Sequence, residues 1–250
     1  MSDANAPNTD IGLDAGPLYR QIKTQIVRRI ANGVWSPGEL LPSEFRLADE
    51  FGVSQGTVRK ALDALASDSV VVRRQGKGTF VAQHTNQRAL FHFFHLVGDD
   101  GSRELPETHR VLACRQRPAS SDEAHCLNLP VSAKVIEIER IRTLAGSPAI
   151  IERITVPARL FAGLDATPAT DLPNELYRLY ETDYGITVHR AVENLRPISA
   201  GRRDVSLLGI RTGRPMLEIQ RTALTVAGTP VERRISRCDM RRHSYISEIV

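Results

Sequence analysis

Polar and cationic side chains are concentrated at the start of one regularly patterned stretch, and their types suit contacts with nucleic acid. Ser54 is followed by Gln55, Thr57, Arg59 and Lys60. An arginine can form two hydrogen bonds with guanine, and a glutamine can form two with adenine. A lysine supplies charge for a phosphate group. The stretch predicts a surface that reads base edges in DNA, although Arg59 and Lys60 could instead only solvate a helix.

A helix must position these side chains. After Ser54, apolar residues recur three and four positions apart, at Val58, Ala61, Leu62 and Leu65. This spacing buries one helix face and leaves Gln55, Thr57 and Arg59 on the outer face and in the first turns. The Ser54 hydroxyl can accept a backbone N–H group and so begin the helix.

Two further helices are predicted upstream. Residues 43–52 form an apolar helical pattern that begins at Ser43 and ends at Gly52, and residues 17–33 form another that begins after Pro17. Two helices joined by a short glycine-containing turn make a helix-turn-helix, whose second helix reads the major groove. The helix over 17–33 is expected to support the other two.

A hairpin follows the second helix of this motif. Residues 70–74 and 79–82 are rich in β-branched side chains and flank a glycine-bearing turn. Glycines at such a tip let the backbone approach a phosphate or a minor groove closely, and Lys77 adds charge. Alone, this could be a surface hairpin with a solvated lysine, but three helices upstream indicate the wing of a winged helix-turn-helix.

The candidate DNA contacts come from the two helices of the motif and from the wing. Gln55, Thr57 and Arg59 are predicted to reach base edges, and the other polar side chains to bond phosphates and set register. The full set is Ser43, Arg46, Ser54, Gln55, Gly56, Thr57, Arg59, Lys60, Arg74, Gln75, Gly76, Lys77 and Gly78.

A second group of charged residues lies on predicted strands. Even positions of 134–144 change from isoleucine to Arg140 and Arg142, and Glu152 shares a strand face with isoleucines. An unpaired carboxylate is unfavourable there. Because a four-residue turn returns the chain antiparallel, Glu152 should lie opposite or diagonal to one arginine. This predicts a polar cavity that can bind a ligand carboxylate or phosphate; the alternative is a salt-bridged sheet without a ligand.

The chain is expected to adopt an α+β fold, with an N-terminal winged helix-turn-helix and a C-terminal antiparallel sheet with flanking helices. We expect a disordered segment at 1–16, the DNA-binding domain at 17–82, a linker at 83–89 and a second domain at 90–250. The C-terminal strands are predicted at 90–97, 110–117, 134–144, 149–156, 187–197, 215–226 and 230–238, and the helices at 121–129, 174–182 and 203–210.

Composition narrows the class of protein. The 250 residues carry a net charge of +4, and residues 17–82 hold ten Lys/Arg against six Asp/Glu, so the basic excess surrounds the predicted DNA contacts. Cys114, Cys126 and Cys238 lack the spacing of a disulfide framework or a zinc site. There is no run of about 18 apolar residues and no secretion signal. We therefore expect a cytoplasmic protein with no metal, cofactor or membrane partner.

The N-terminal pattern resembles the winged helix-turn-helix of the GntR family of bacterial transcription regulators. Many relatives have arginine at the positions of Phe45 and Gln55, so this chain is expected to read a different half-site, with Arg46 and Gln55 compensating in part. The matching residues are Pro17-Leu18-Tyr19, Gly38, Leu41-Pro42-Ser43-Glu44, Leu47-Ala48, Gly52-Val53-Ser54, Thr57-Val58-Arg59, Ala61-Leu62, Leu65 and Gly76-Lys77-Gly78-Thr79-Phe80-Val81.

The C-terminal part resembles the UTRA effector-binding domain of the HutC subfamily, whose fold is chorismate-lyase-like. The matching residues are Arg140-Ile141-Arg142, Pro148, Glu152, Leu176-Tyr177, Leu208-Gly209-Ile210, Gly213-Arg214-Pro215, Arg221 and Gly228-Thr229-Pro230-Val231-Glu232. The resemblance implies an effector site made of Arg140, Arg142, Glu152, Glu175, Tyr177 and Glu232. Sugar-phosphate-binding relatives often have serine where this chain has Glu175. A carboxylate there repels phosphate, so we expect a ligand with a carboxylate, an amine or both.

These features predict a repressor whose affinity for its operator depends on a small metabolite. One winged helix makes few contacts, so we expect a homodimer on a palindromic double-stranded DNA operator. Ligand would then change the placement of the two DNA-binding domains through the linker. The alternatives are a lyase-like enzyme and a constitutive DNA-binding protein without an effector.

Overall fold

The computed structural model describes residues 17–83, 93–103 and 105–247. The chain divides into two compact units between Val81 and Ala82. The predicted disordered segment 1–16 and residues 84–89 of the predicted linker lie outside the described residues.

The N-terminal unit contains three helices and a hairpin, as the sequence pattern predicts. The Ser43 hydroxyl accepts the Arg46 N–H group at 3.3 Å, and the Ser54 hydroxyl accepts that of Thr57 at 3.2 Å. Gly52 ends the second helix in the left-handed conformation. The elements are α1 (Leu18–Ala31), α2 (Glu44–Phe51), α3 (Gln55–Ser67), β1 (Val71–Arg74) and β2 (Gly78–Val81).

The wing is joined to the chain segment before α2. The Leu41 N–H group donates to the Thr79 carbonyl at 2.8 Å, and the Val81 N–H group donates to the Glu39 carbonyl at 2.8 Å. Gly78 has a φ of +109°, and a Cβ there would lie 2.7 Å from the Leu40 side chain. The wing therefore requires glycine at this position, both for the backbone angle and for the close approach.

The C-terminal unit is built on one antiparallel sheet of six strands in the order β4-β5-β6-β9-β8-β7. Its predicted α+β class is confirmed. The strands are β3 (Leu96–Gly98), β4 (Glu107–Pro118), β5 (Lys134–Leu144), β6 (Ser147–Pro157), β7 (Arg190–Ser199), β8 (Pro215–Leu224), β9 (Pro230–Asp239) and β10 (His243–Tyr245), and the helices are α4 (Ser121–Cys126), α5 (Leu176–Tyr184) and α6 (Arg202–Leu208), with a 3₁₀-helix at Leu164–Ala166. The β10 strand, which pairs with β3, has only three residues and was not predicted.

The main core lies on the face of the sheet that carries the even-numbered residues of β5 and β6. Side chains from α5 complete it, and aromatic rings of Phe161 and Tyr180 lie 4.6 Å apart edge to face. Its largest members are Phe93, Ile136, Ile138, Ile154, Phe161, Leu176, Tyr177 and Tyr180. A smaller cluster around Leu208 of α6 packs on the opposite face. Alternating burial along the strands therefore aims Arg140, Arg142 and Glu152 into the main core side.

A buried carboxylate links α4 to the sheet. Glu123 accepts two hydrogen bonds from Arg117, at 2.7 and 2.6 Å, and one from the Thr155 hydroxyl at 3.1 Å. It also closes a capping box with Ser120. Burial raises the pKa of Glu123, but Arg117, Ser120 and Thr155 outweigh it and lower the pKa to about 2.

No helix in the described part of the chain is long and apolar enough to cross a membrane. The three cysteines are free, and Cys238 is buried.

The low pKa of Glu123 predicts an acid-dependent contribution to stability. Because the pKa is lower in the folded chain, the contribution is complete above pH 4.5 and disappears as the pH falls toward 2. Glu123→Gln is expected to lower the free energy of unfolding of the C-terminal unit at pH 7 by about 2 kcal/mol. Circular dichroism during urea unfolding measures it.

Asp122→Asn is the matched control, since Asp122 is exposed beside Glu123 on α4. The single tryptophan, Trp35, lies in the N-terminal unit, so its fluorescence transition should be the same in both variants. A stability difference between parent and Glu123→Gln that is as large at pH 2.5 as at pH 7 would contradict the assignment.

Candidate functional site

The predicted DNA contacts lie together at the surface of the N-terminal unit. Thr57 is half-buried, and its hydroxyl lies 2.9 Å from that of Ser54. The Thr57 N–H group donates to the Ser54 hydroxyl and so completes the cap of α3. Gln55, Arg59 and Lys60, in contrast, are exposed to solvent. Phe45, at the start of α2, is 73% exposed. All the predicted residues of the wing tip, Arg74, Gln75, Gly76, Lys77 and Gly78, are exposed, as are Ser43, Arg46, Ser54 and Gly56.

Two cations of this surface lie on aromatic rings. The Lys60 ammonium is 4.6 Å from the centre of the Tyr19 ring, and the Arg74 guanidinium is 4.6 Å from that of Phe80. Such contacts restrain long side chains while leaving their charge at the surface. Tyr19 and Phe80 thereby support the candidate contacts from α1 and β2.

Glu44 is a member of this surface that the sequence did not single out. Its Oε2 atom accepts hydrogen bonds from Arg59 Nε at 2.9 Å and from Gln55 Nε2 at 3.4 Å. Its Oε1 atom accepts one from Arg73 Nη1 at 3.1 Å. Burial raises the pKa of Glu44, but the bonds from Arg59 and Arg73 outweigh it, so the pKa lies below its ordinary value.

Arg73 was also missed. It extends from β1 and bonds Asp63 of α3 at 2.7 Å as well as Glu44 of α2. One guanidinium therefore joins the wing to both helices of the motif. Arg73, Arg74, Ser43 and Glu44 line a cleft of about 520 Å³ between the start of α2 and the wing.

In the C-terminal unit, Arg140 lies directly opposite Glu152 on the paired strands β5 and β6. Strand parity predicted Glu152 opposite or diagonal to one of the two arginines, and the structure shows that it is Arg140. Arg140 Nε donates to Glu152 Oε2 at 2.7 Å, and Arg140 Nη1 donates to the Asn174 carbonyl at 3.0 Å. Arg140 is 2% exposed and Glu152 is 4% exposed. The pair is thus fully enclosed.

Three guanidinium groups surround the Glu152 carboxylate. Arg234 and Arg142 lie 3.3 and 3.7 Å from its Oε1 atom, in addition to Arg140 on Oε2. Burial strongly raises the pKa of Glu152, but the three positive charges outweigh it and hold the pKa far below its ordinary value. Glu152 is ionised at neutral pH.

Arg142 has the least complete set of partners. Its Nη2 donates to the Pro106 carbonyl and, at 3.1 Å, to Asn174 Oδ1. Its buried Nε has no hydrogen-bond partner in the described part of the chain. Burial lowers the pKa of Arg142 to about 9, with Glu152 offsetting part of this and Arg140 adding repulsion. The guanidinium stays charged at pH 7, lies 3.7 Å from both Glu152 and Glu175, and has one buried donor without an acceptor in the described residues.

These arginines line a cavity of about 50 Å³. That volume holds a few water molecules, since one needs about 10–15 Å³. The charged lining residues are Arg140, Arg142, Arg221, Arg234, Glu152 and Glu175. Two of these arginines are also paired with carboxylates outside the lining, Arg234 with Glu232 and Arg221 with Glu193, so the charges around the cavity balance. The feature left for an anion is the Arg142 Nε, which has no partner in the described residues, and the cavity must widen to admit a metabolite.

The other predicted effector residues occupy different positions relative to this cavity. Glu175 lines it, 3.7 Å from Arg142, and Tyr177 contributes one wall. Glu232 is completely buried and is not among the lining residues; it accepts hydrogen bonds from Tyr177 at 3.0 Å and Tyr180 at 2.9 Å. Glu232 therefore holds the Tyr177 side chain from the side that faces away from the cavity.

Sequence reasoning did not name Arg234, Arg221 or Asn174 as site residues. Arg234 follows Glu232 by two positions on β9, so strand parity would have placed it on the same face. Arg221 bonds Glu193 at 2.6 Å and also the Phe93 carbonyl. Asn174 was predicted as the first residue of a helix over 174–182, but α5 begins at Leu176 and Asn174 lies in the loop before it. No cluster of residues suited to a metal ion occurs in the described part of the chain.

Comparisons with known proteins agree with this geometry. Residues 18–81 match the family model for bacterial regulatory proteins of the gntR family, and residues 103–244 match that for the UTRA domain. The chain is 31% identical to the HTH-type transcriptional repressor NagR of Bacillus subtilis, over 86% of this chain and 88% of that protein. It is 32% identical to a histidine utilization repressor of Pseudomonas putida, over 57% of each chain.

A solved structure of a similar protein supports this comparison. PhnF from Mycobacterium smegmatis superposes with a TM-score of 0.54 at 25% identity, covering 92% of this chain and 99% of that one. The curated relatives are transcriptional repressors and not enzymes, which argues against the lyase-like alternative. The chain belongs to the GntR family of bacterial transcription regulators, of the HutC/NagR type with a C-terminal UTRA effector domain.

Proposed function

We propose that this GntR regulator is a homodimeric repressor that binds a palindromic operator and changes its operator affinity when a small carboxylate-bearing metabolite occupies the UTRA cavity. It acts in the cytoplasm, where its DNA lies. The single observation that carries the effector claim is the buried Arg142 at the cavity wall, whose Nε has no hydrogen-bond partner in the described residues.

The DNA-binding half of the proposal is supported by the arrangement of α3 and the wing. Arg59 is 58% exposed at its side chain, and the wing tip adds Arg74 and Lys77. Arginine reads guanine by two hydrogen bonds, whereas the wing cations neutralise phosphates without reading sequence. A two-fold dimer presents two such surfaces, so the operator is palindromic, with half-sites about one helical turn apart or less.

The ligand class follows from the charges of the cavity. A carboxylate would accept a hydrogen bond from the Arg142 guanidinium, whose Nε has no partner in the described residues. Glu175, at the rim, repels a phosphate and attracts an amine. The Pseudomonas putida relative is a histidine utilization repressor, and histidine carries both a carboxylate and an amine. We therefore place amino acids and related carboxylates ahead of sugar phosphates.

Arg59→Ala is expected to weaken binding to the operator by about 5- to 150-fold, since one bidentate arginine–guanine contact discriminates by about 1–3 kcal/mol. The operator is first selected from random duplex DNA with the parent protein. Fluorescence anisotropy at one fixed salt concentration then measures affinity.

Arg28→Ala is the control for charge, because it removes the same charge from an exposed position on α1 outside the predicted contacts. It should reduce affinity for operator and random DNA by the same small factor. Operator affinity that is equal in parent and Arg59→Ala would refute the assignment of Arg59.

Arg142→Gln is expected to abolish effector binding while operator binding persists. A panel of amino acids, dicarboxylates and sugar phosphates is screened by thermal shift. A compound at about 100 times its Kd stabilises the parent by about 2.7 kcal/mol, which raises Tm by about 5–10 °C. This shift should be lost in Arg142→Gln.

Arg153→Gln is the matched control, because Arg153 is exposed on the opposite face of β6; it should keep the full shift. An equal shift in Arg142→Gln and parent would show that the ligand does not bind this guanidinium. Stabilisation by sugar phosphates alone would overturn the ligand class.

A further inference from the structure

A carboxylate lies where DNA phosphates are expected, bonded to the arginine that is expected to read a base. This is unfavourable for affinity, because the Glu44 charge repels phosphates. Glu44 is the first residue of α2, and its contacts with Arg59 and Arg73 span 15 and 29 positions of sequence. The contact pattern therefore calls for a role other than local helix capping.

We propose that Glu44 is a positioning residue that fixes the Arg59 guanidinium in the orientation required to recognise one guanine. The inference rests on the proposed function, because it assumes that Arg59 reads the operator. It assigns to Glu44 a contribution to sequence discrimination rather than to general affinity for DNA.

The geometry of the guanidinium supports this assignment. Glu44 Oε2 lies 2.9 Å from Arg59 Nε and 2.9 Å from Arg59 Nη2, so it holds one edge of the planar group. Nη1 forms no hydrogen bond or ion pair within the described residues. A bidentate bond to guanine needs two donors at the far end of the guanidinium. The carboxylate therefore restrains the side chain without occupying all the donors that a base would use.

Arg73 holds the carboxylate from its other side. Arg73 Nη1 lies 3.1 Å from Glu44 Oε1, and Arg73 Nη2 bonds Asp63 at 2.7 Å. Glu44 is itself only 18% exposed at its side chain. The carboxylate is thus fixed between α3 and β1, and it stays ionised. A rigid acceptor reduces the rotamer entropy that Arg59 loses when it binds a base.

The test compares sequence discrimination, which a purely structural role would leave unchanged. The operator selected with the parent is altered at each base pair in turn, and the position where Arg59→Ala loses discrimination is taken as the Arg59 position. At that position the parent should prefer guanine by about 5- to 150-fold. Glu44→Gln should reduce the preference at least threefold and leave affinity for random DNA equal or higher, since a negative charge is removed.

Glu50→Gln is the matched control. Glu50 also lies on α2 and bonds an arginine, Arg29 at 2.5 Å, but it is outside the candidate contacts. The Glu50→Gln variant should prefer guanine at the Arg59 position as strongly as the parent does. Thermal unfolding followed by Trp35 fluorescence checks that each N-terminal unit is folded, and the double variant Arg59→Ala/Glu44→Gln should discriminate no less than Arg59→Ala alone.

The outcomes separate this inference from the proposed function. If Arg59→Ala leaves every base preference intact, Arg59 does not read a base, and that part of the proposed function is wrong. If Arg59→Ala loses a preference that folded Glu44→Gln keeps in full, the positioning role alone is wrong. Loss of preference in Glu44→Gln at a cytosine elsewhere in the operator would mean that Glu44 reads a base directly, which also overturns the positioning role.

Discussion

The Glu152 carboxylate is buried in the centre of the C-terminal sheet, and only the guanidinium groups around it allow it to remain there ionised. Burying a lone carboxylate is strongly unfavourable, and its pairing compensates only with close, well-aligned partners. Arg140 and Arg234 supply such partners at 2.7 and 3.3 Å. Arg142 adds a third guanidinium at 3.7 Å, and Arg234 is also paired with Glu232. The cluster is therefore a structural element, and the proposed effector site is built on it.

Glu232 supports the cluster around Glu152 through its own contacts with Arg234 and two tyrosines. It engages Arg234 at 2.9 Å and both Tyr177 and Tyr180, so the guanidinium and the tyrosine wall are fixed together. Since side chains held in this way can respond to a ligand only as a group, an anion bound at Arg142 would shift several contacts together. This provides a physical basis for a ligand to favour one arrangement of the domain over another.

The N-terminal unit uses the same kind of contact at a more exposed place. Glu44 lies between Arg59 and Arg73, where water and salt weaken ion pairs and their contribution to stability is small. At the surface, such an ion pair still fixes the relative orientation of its two side chains. The buried cluster holds the arginine that is proposed to bind the ligand, whereas the ion pairs of Glu44 are proposed to orient the Arg59 side chain.

Local patterns predicted much of this architecture, and long-range contacts did not follow from them. Helix caps at Ser43 and Ser54 depend on neighbouring residues, and strand parity placed Glu152 opposite or diagonal to Arg140 or Arg142. Glu44 and Arg73 are brought together because α2 and β1 both pack on α3, and this packing has no periodic signal in the sequence. Glu232 was assigned to the site by the family resemblance, which does not reveal that it lies behind Tyr177.

The most direct test of the link between the two sites is their reciprocity. Binding of the best stabilising metabolite is measured by calorimetry on the parent protein, with and without saturating operator DNA, and operator affinity is measured with and without that metabolite. The two ratios must be equal because both report one coupling free energy, and a coupled regulator gives about 5- to 150-fold. Ratios of one in both experiments would contradict effector control of DNA binding.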